Sequence, residues 1–257
     1  MDPKNTHVKN QTSFLFQIFL WLQIWLHIMG GSITLLLLFP FLKANQRRWH
    51  IQQWSKKLLD IFQIELVVHG SKILPNRSYL LAANHISWLD IHVINAFNPI
   101  RFVAKSEVEG WPIFGWMAKR LGTVFIKRDN SRHARQVSGE LGEILQSESI
   151  CIFPEGTSSL GVHVLPFRAN LFESAVSSGA PVYPLAIQYF SSKTGLRSYA
   201  PAFVGDMGLL ESISNILNAR DLRVELSFSE PLKCRDGLTP DRKQLAQYCQ
   251  KMIANFI

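Results

Sequence analysis

The sequence predicts an α/β fold: a mixed, largely parallel sheet layered with helices, preceded by an N-terminal membrane-embedded helical segment. Three observations carry this. Seven short apolar runs alternate with helix-like segments, the order of strand–helix–strand units. Two of them, residues 79–83 and 149–153, are apolar runs followed at once by chemistry-bearing turns, as in an α/β sheet whose site lies at the loops leaving strands. Residues 11–42 contain no Asp, Glu, Lys or Arg, and about 20 apolar residues are enough to cross a bilayer.

In chain order, the first unit is that apolar stretch, which assigns residues 1–43 to a membrane anchor and residues 44–257 to a single catalytic domain. Gly30 and Gly31 split the stretch and Pro40 ends it, consistent with a kinked span or a half-buried helical hairpin. Lys43, Arg47, Arg48, Lys56 and Lys57 follow it, against Lys4 and Lys9 before it, so the domain is expected on the cytoplasmic side. Trp49, Ile51, Trp54, Leu58, Leu59 and Phe62 form an amphipathic set, suited either to a membrane surface or to packing on the sheet. The predicted strands are 65–69, 79–83, 101–104, 123–126, 149–153, 182–188 and 222–228. Helices are predicted over 88–96, 131–145 and 167–178, the last stopped by Gly179, with a final helix starting at Thr239-Pro240.

Chemistry concentrates where predicted strands end. Asn84-His85-Ile86-Ser87-Trp88-Leu89-Asp90 follows the run 79–83 and sets a histidine and an aspartate five positions apart. On one continuous helix those side chains would diverge by about 140°. They meet if His85 lies in the turn leaving a strand and Asp90 lies one turn into the next helix. Asp90 then holds one ring nitrogen and leaves the other as a proton acceptor, which is what deprotonating an alcohol requires. A plainer reading is available, because Ser87-Trp88-Leu89-Asp90 also fits a helix-start signature in which Asp90 only satisfies backbone donors. Phe153-Pro154-Glu155-Gly156-Thr157 leaves a second strand, placing a carboxylate and a glycine where amides are free to face an oxyanion. Gly122-Thr123-Val124-Phe125-Ile126-Lys127-Arg128 ends in two cations, and Ala180-Pro181-Val182-Tyr183-Pro184-Leu185-Ala186-Ile187 is an apolar strand carrying prolines.

In this order and spacing the four blocks resemble the glycerolipid acyltransferases related to bacterial 1-acylglycerol-3-phosphate acyltransferase, with a lyso-ornithine lipid acyltransferase branch among the relatives. The resemblance covers residues 79–187 and takes in Val103-Ala104-Lys105-Ser106-Glu107 and Trp111-Pro112-Ile113-Phe114-Gly115. It implies an enzyme moving an acyl group from acyl-CoA or an acyl carrier protein to a lysolipid hydroxyl, with 1-acylglycerol-3-phosphate as the first acceptor and lyso-ornithine lipid as the alternative. His85 would be the general base and Asp90 its orienting partner. Lys127 and Arg128 would bind the acceptor's phosphate, and Glu155, Gly156 and Thr157 would shape the acyl-transfer site. No cofactor and no covalent acyl-enzyme are implied, and the setting is a bacterial inner membrane. The chain departs from the family in having Ser158, where arginine commonly follows the threonine, and Asn170, where glycine is usual. Losing a cation there weakens the case for a phosphate-bearing acceptor. His85→Ala and Asp90→Ala are each expected to remove most turnover with the fold left in place.

Composition supports the same class. The net charge of +8 is concentrated in Arg101, Lys105, Lys119, Arg120, Lys127, Arg128, Arg132 and Arg135, interleaved with Trp111, Phe114 and Trp116. That patch suits an anionic lipid surface or an acidic carrier protein; no nucleic-acid module accompanies it. Cys151, Cys234 and Cys249 show no paired spacing, and Cys151 reads as core rather than nucleophile. His85 and His92 lack a third metal ligand at suitable spacing, and no G-x-S-x-G elbow is present. A thioesterase or lipid hydrolase, and a non-catalytic membrane scaffold, are the rival readings from other classes.

Overall fold

A computed structural model describes residues 14–127, 131–232 and 240–257. Its helices are α1 (Phe14–Leu37), α2 (Ala44–Phe62), α3 (Leu89–Phe97), α4 (Phe114–Arg120), α5 (Ser131–Ile144), α6 (Glu173–Ser178), α7 (Leu209–Ala219) and α8 (Arg242–Ala254). The strands are β1 (Glu65–His69), β2 (Leu80–Ala83), β3 (Arg101–Lys105), β4 (Val124–Ile126), β5 (Ile150–Ile152), β6 (Val182–Ser191) and β7 (Leu222–Phe228). They form one seven-stranded sheet in the order β1-β7-β6-β2-β5-β3-β4. Among these strands of the described residues, only the β6–β7 pairing is antiparallel; the others are parallel.

β2 lies inside the sheet, between β6 and β5, and its four residues are all buried. Successive side chains of a strand point to opposite faces, and the two cores divide accordingly. Leu81 and Ala83 join a cluster with Leu58 and Phe62 of α2, Leu89 and Val93 of α3 and Ile213 and Ile216 of α7. Leu80 and Ala82 join Val137 and Leu141 of α5, Ala175 of α6 and Leu245 and Cys249 of α8. Helices on both faces explain why all four residues of β2 are apolar. Pro184 is tolerated inside β6 because its carbonyl accepts from Ser229 N on the β7 side, where ladder pairing starts only at Leu185. The missing N–H therefore faces no ladder partner.

α1 runs unbroken through Gly30 and Gly31, so the glycines do not split the helix as the sequence implied. They serve packing instead. A Cβ on Gly31 would lie 2.5 Å from Trp54 Nε1 of α2, and that indole donates to His27 O at 3.2 Å. A small residue here is what lets the two helices approach. Leu20, Ile24 and Ile28 of α1 sit in the same core as β2, whereas Phe19, Leu22, Trp25, Leu26, Met29, Ile33 and Leu36 are exposed. The C-terminal half of α2 packs in that core through Leu58, Leu59, Ile61 and Phe62, while Trp49 stays exposed. The last helix starts slightly later than predicted: Asp241, not Thr239-Pro240, caps it, accepting from Lys243 N and Gln244 N. Thr239 itself lies outside the described residues, as do Lys4, Lys9, Arg128 and Cys234.

Candidate active site

The site forms at the C-terminal ends of parallel strands, where loops leaving an α/β sheet converge. β2 ends at Ala83, and the next residue locks the loop in place. Asn84 is buried; its Nδ2 donates to Ile187 O at 3.0 Å and its Oδ1 accepts from Ile187 N at 2.7 Å. This amide mimics a further rung of the β2–β6 ladder, so His85 leaves the sheet from a fixed point.

His85 Nδ1 lies 2.9 Å from Asp90 Oδ2, the second residue of α3. The histidine side chain is 21% exposed and the aspartate 0%. Asp90 Oδ2 also accepts from Ile86 N at 2.7 Å and Ser87 N at 3.0 Å, and Oδ1 accepts from Tyr189 Oη at 2.8 Å. The helix-start reading and the histidine-partner reading are therefore both true of one carboxylate. Burial first, and then the Asp90 charge, push the Tyr189 phenol well above its ordinary range, so it stays a donor. A carboxylate facing these donors selects the tautomer in which His85 Nδ1–H donates to it, which leaves Nε2 as the acceptor.

Glu155 stitches the second loop to the first. Its Oε1 accepts from His85 N at 2.8 Å and its Oε2 from Leu165 N at 3.1 Å, and Ser159 N donates to His85 O at 2.9 Å. The His85 ring stacks on Phe153, with centroids 4.1 Å apart. Gly156 takes φ +76°, a conformation costly for other residues, and its N–H closes the turn onto Phe153 O at 3.0 Å. That amide is thus engaged within the turn rather than turned to an oxyanion. Thr157 is exposed beside it. Ser158 Oγ turns inward to Phe203 O, and Phe203 N donates to Ile86 O at 2.9 Å.

A cleft continues from Phe153 along Val103, Ala104, Ile126, Ile152, Arg168, Asn170 and Leu171. Lys127 follows Ile126 at the end of β4 and is exposed. The structure thus brings His85, Asp90, Glu155 and Gly156 into one bonded unit, with Thr157 at its edge and Lys127 at the end of a cleft strand. Arg128, and the side chains of Arg132 and Arg135, lie outside what is described. Of the basic stretch that is described, Arg101 pairs with Glu148, Lys105 with Glu107 and Lys119 with Glu109. Asn84 and Tyr189 were not legible as site residues, since each acts through a partner about a hundred positions away. Cys151 lies in the core, its thiol pushed well up by burial and then by Asp90's charge, which makes it a poor nucleophile. Among the described residues no His, Cys, Asp and Glu group is arranged to hold a metal.

Burial raises the Glu155 carboxyl above its usual range, against the backbone bonds from His85 and Leu165 that lower it. The folded protein keeps this proton to a higher pH than the unfolded chain does. Stability should therefore decline as pH climbs between the two values. Glu155→Gln should flatten that decline in thermal melts taken between about pH 4 and pH 8. Parallel curves for variant and wild type would assign the raised carboxyl no such role.

A protein-family model described as Acyltransferase matches residues 65–188, a span holding every one of the sequence-predicted site residues. The lyso-ornithine lipid O-acyltransferase of Pseudomonas aeruginosa is 32% identical over 234 residues, 91% of this chain and 84% of that protein. The 1-acyl-sn-glycerol-3-phosphate acyltransferase of Neisseria gonorrhoeae is 39% identical over 155 residues, 60% of each chain. The crystal structure of the 1-acyl-sn-glycerophosphate acyltransferase of Thermotoga maritima superposes with a TM-score of 0.66 at 23% identity, covering 94% of this chain and 93% of that one, and so shares the fold. The chain belongs to the acyltransferase family and is an O-acyltransferase of the lysophospholipid type.

Proposed function

We propose that this enzyme esterifies a lysolipid hydroxyl from an acyl thioester, with His85 as general base and Asp90 as its fixed partner. The observation that carries the reading is the 2.9 Å Nδ1–Oδ2 bond between a partly exposed imidazole and a fully buried carboxylate. Nε2 takes the hydroxyl proton while the oxygen attacks the thioester carbonyl, and Asp90 stabilises the imidazolium that forms. The tetrahedral intermediate collapses with cleavage of the C–S bond. The departing thiolate recovers the proton from His85, so one C–O bond forms, one C–S bond breaks and no group stays on the enzyme. A thioester is already activated, so positioning and one base supply most of what is needed.

Of the two acceptors, lyso-ornithine lipid is favoured by position 158. Where family members commonly carry arginine, the Ser158 hydroxyl is bonded inward to Phe203 O. The relative matching 91% of the chain carries the lyso-ornithine name. Phosphatidate synthesis from 1-acylglycerol-3-phosphate is the second reading, supported by the 39% identity to the Neisseria enzyme. The thioester comes from acyl-CoA or an acyl carrier protein. Attachment to a bacterial inner membrane belongs to the same reading: the exposed apolar face of α1, extended by Phe41 and Trp49, supports it, and the basic flank from Lys43 to Lys57 supports a cytoplasmic catalytic domain. The test is a matrix of both donors against both acceptors with the full-length protein. Ester formation on lyso-ornithine lipid with slower turnover of lysophosphatidate is the expected result. Acyl release to water at equal rates with and without acceptor would replace the transferase with a hydrolase.

A further inference from the structure

Arg168 is the one cationic side chain among the described residues lining the cleft, whose other lining is apolar except for Asn170. Its placement is built rather than incidental. The Arg168 amide donates to Pro154 O at 2.9 Å, tying it to the Pro154–Thr157 turn. Its guanidinium stem lies against Gly156: a Cβ there would come within 2.8 Å of Arg168 Nε and 3.2 Å of Cζ. Gly156 is therefore needed twice, for φ +76° and for the room this side chain occupies. No ion pair among the described residues involves Arg168. The same turn is bonded through Glu155 to the backbone of His85, and Phe153 of the cleft stacks on the His85 ring.

We infer that Arg168 is a substrate-binding residue that clamps an oxyanion of the acceptor's headgroup, an inference that rests on the acyl-transfer reading of His85 and Asp90. The guanidinium fork matches carboxylate and phosphate alike. Lyso-ornithine lipid and lysophosphatidate each carry such a group a handful of bonds from the reacting hydroxyl. The phosphates of a donor are separated from its thioester by the whole pantetheine arm, so a cation on the turn bonded to His85 matches the acceptor. Asn170, two residues on, lines the same cleft.

The test uses full-length wild type, Arg168→Ala and Arg168→Lys with four acceptors. These are lyso-ornithine lipid, its carboxyl methyl ester, lysophosphatidate and monoacylglycerol. Wild type should favour one charged acceptor over its neutral counterpart, and which of the two identifies carboxylate or phosphate as the bound group. Arg168→Ala should raise the KM for that acceptor by about 10- to 100-fold, with a much smaller change in kcat. It should also lose most of the charged-over-neutral preference and leave the donor KM unchanged; Arg168→Lys should fall between. A rise in donor KM, a fall confined to kcat, or full retention of the preference in Arg168→Ala would overturn the assignment. Should Arg168→Ala misfold, the Lys variant decides, because loss of the fork alone must still weaken the preference. Wild type that acylates none of the four acceptors would overturn the acyl-transfer reading instead, and the clamp with it.

Discussion

Replacing His85 with alanine should lower kcat by about 10²- to 10⁴-fold, the usual contribution of a positioned general base. The fold should survive. His85 is partly exposed, its backbone bonds to Glu155 and Ser159 do not involve the ring, and Asp90 keeps three other donors when the imidazole is gone. The chief structural loss is the stack on Phe153, on the order of 1 kcal/mol for an aromatic pair. Activity and unfolding temperature should therefore part company: turnover nearly absent, melting within a few degrees of wild type. Steady-state kinetics with the best donor–acceptor pair, run beside a thermal melt, gives both numbers. Turnover above about a tenth of wild type in a folded variant would remove His85 from the role of base.

The sheet was legible because short strand-like runs alternate with helix-like ones, and because its central strand, Leu80–Ala83, is buried and apolar throughout. All seven runs became strands, with ends shifted by a few residues at most. Two helices were not read. α4 has seven residues and opens after Ile113 at φ +62°, with Gly115 so close to Glu109 O that a Cβ would meet it at 2.2 Å. That is a tight local turn onto the preceding 3-10 segment, and apolar periodicity does not announce it. α7 buries Ile213, Ile216 and Leu217 on one face, but Ser212, Ser214, Asn215 and Asn218 are weak helix formers and hid the period. The Asp241-x-x-Gln244 capping box was present in the sequence and outweighed the proline next to it. In the site, the spacing of His85 and Asp90 left a pair and a helix start both open, the family resemblance pointed to the pair, and the two side chains meet within one strand–turn–helix unit. Asn84 with Ile187, and Asp90 of α3 with Tyr189, are contacts to β6 across about a hundred positions of chain, and periodicity does not report those.

Asp90→Ala should do what the sequence alone did not predict, namely compromise the fold. The buried carboxylate accepts from Ile86 N, Ser87 N, Tyr189 Oη and the His85 ring. Alanine leaves two backbone amides and a buried phenol without an acceptor, at roughly 1–3 kcal/mol each. The sum is a large part of the ~5–15 kcal/mol that holds a typical domain together, so a drop of many degrees in melting temperature is expected. Asp90→Asn separates the two duties of this side chain. Its carbonyl oxygen keeps the amides and the His85 Nδ1–H, and the Tyr189 hydroxyl rotates to accept from the new NH₂. Packing and tautomer survive; the negative charge opposite the imidazolium does not. The expected result is a melting temperature near wild type with kcat reduced about 10- to 100-fold, the worth of converting an ionic hydrogen bond to a neutral one. Tyr189→Phe tests the same account from the other side, since it removes one donor from Asp90 and leaves the histidine bond intact. It should cost less activity than Asp90→Asn. Were Asp90→Asn as active as wild type while Asp90→Ala melted early, the carboxylate would be a helix-start acceptor alone, and His85 would have to act without a charged partner.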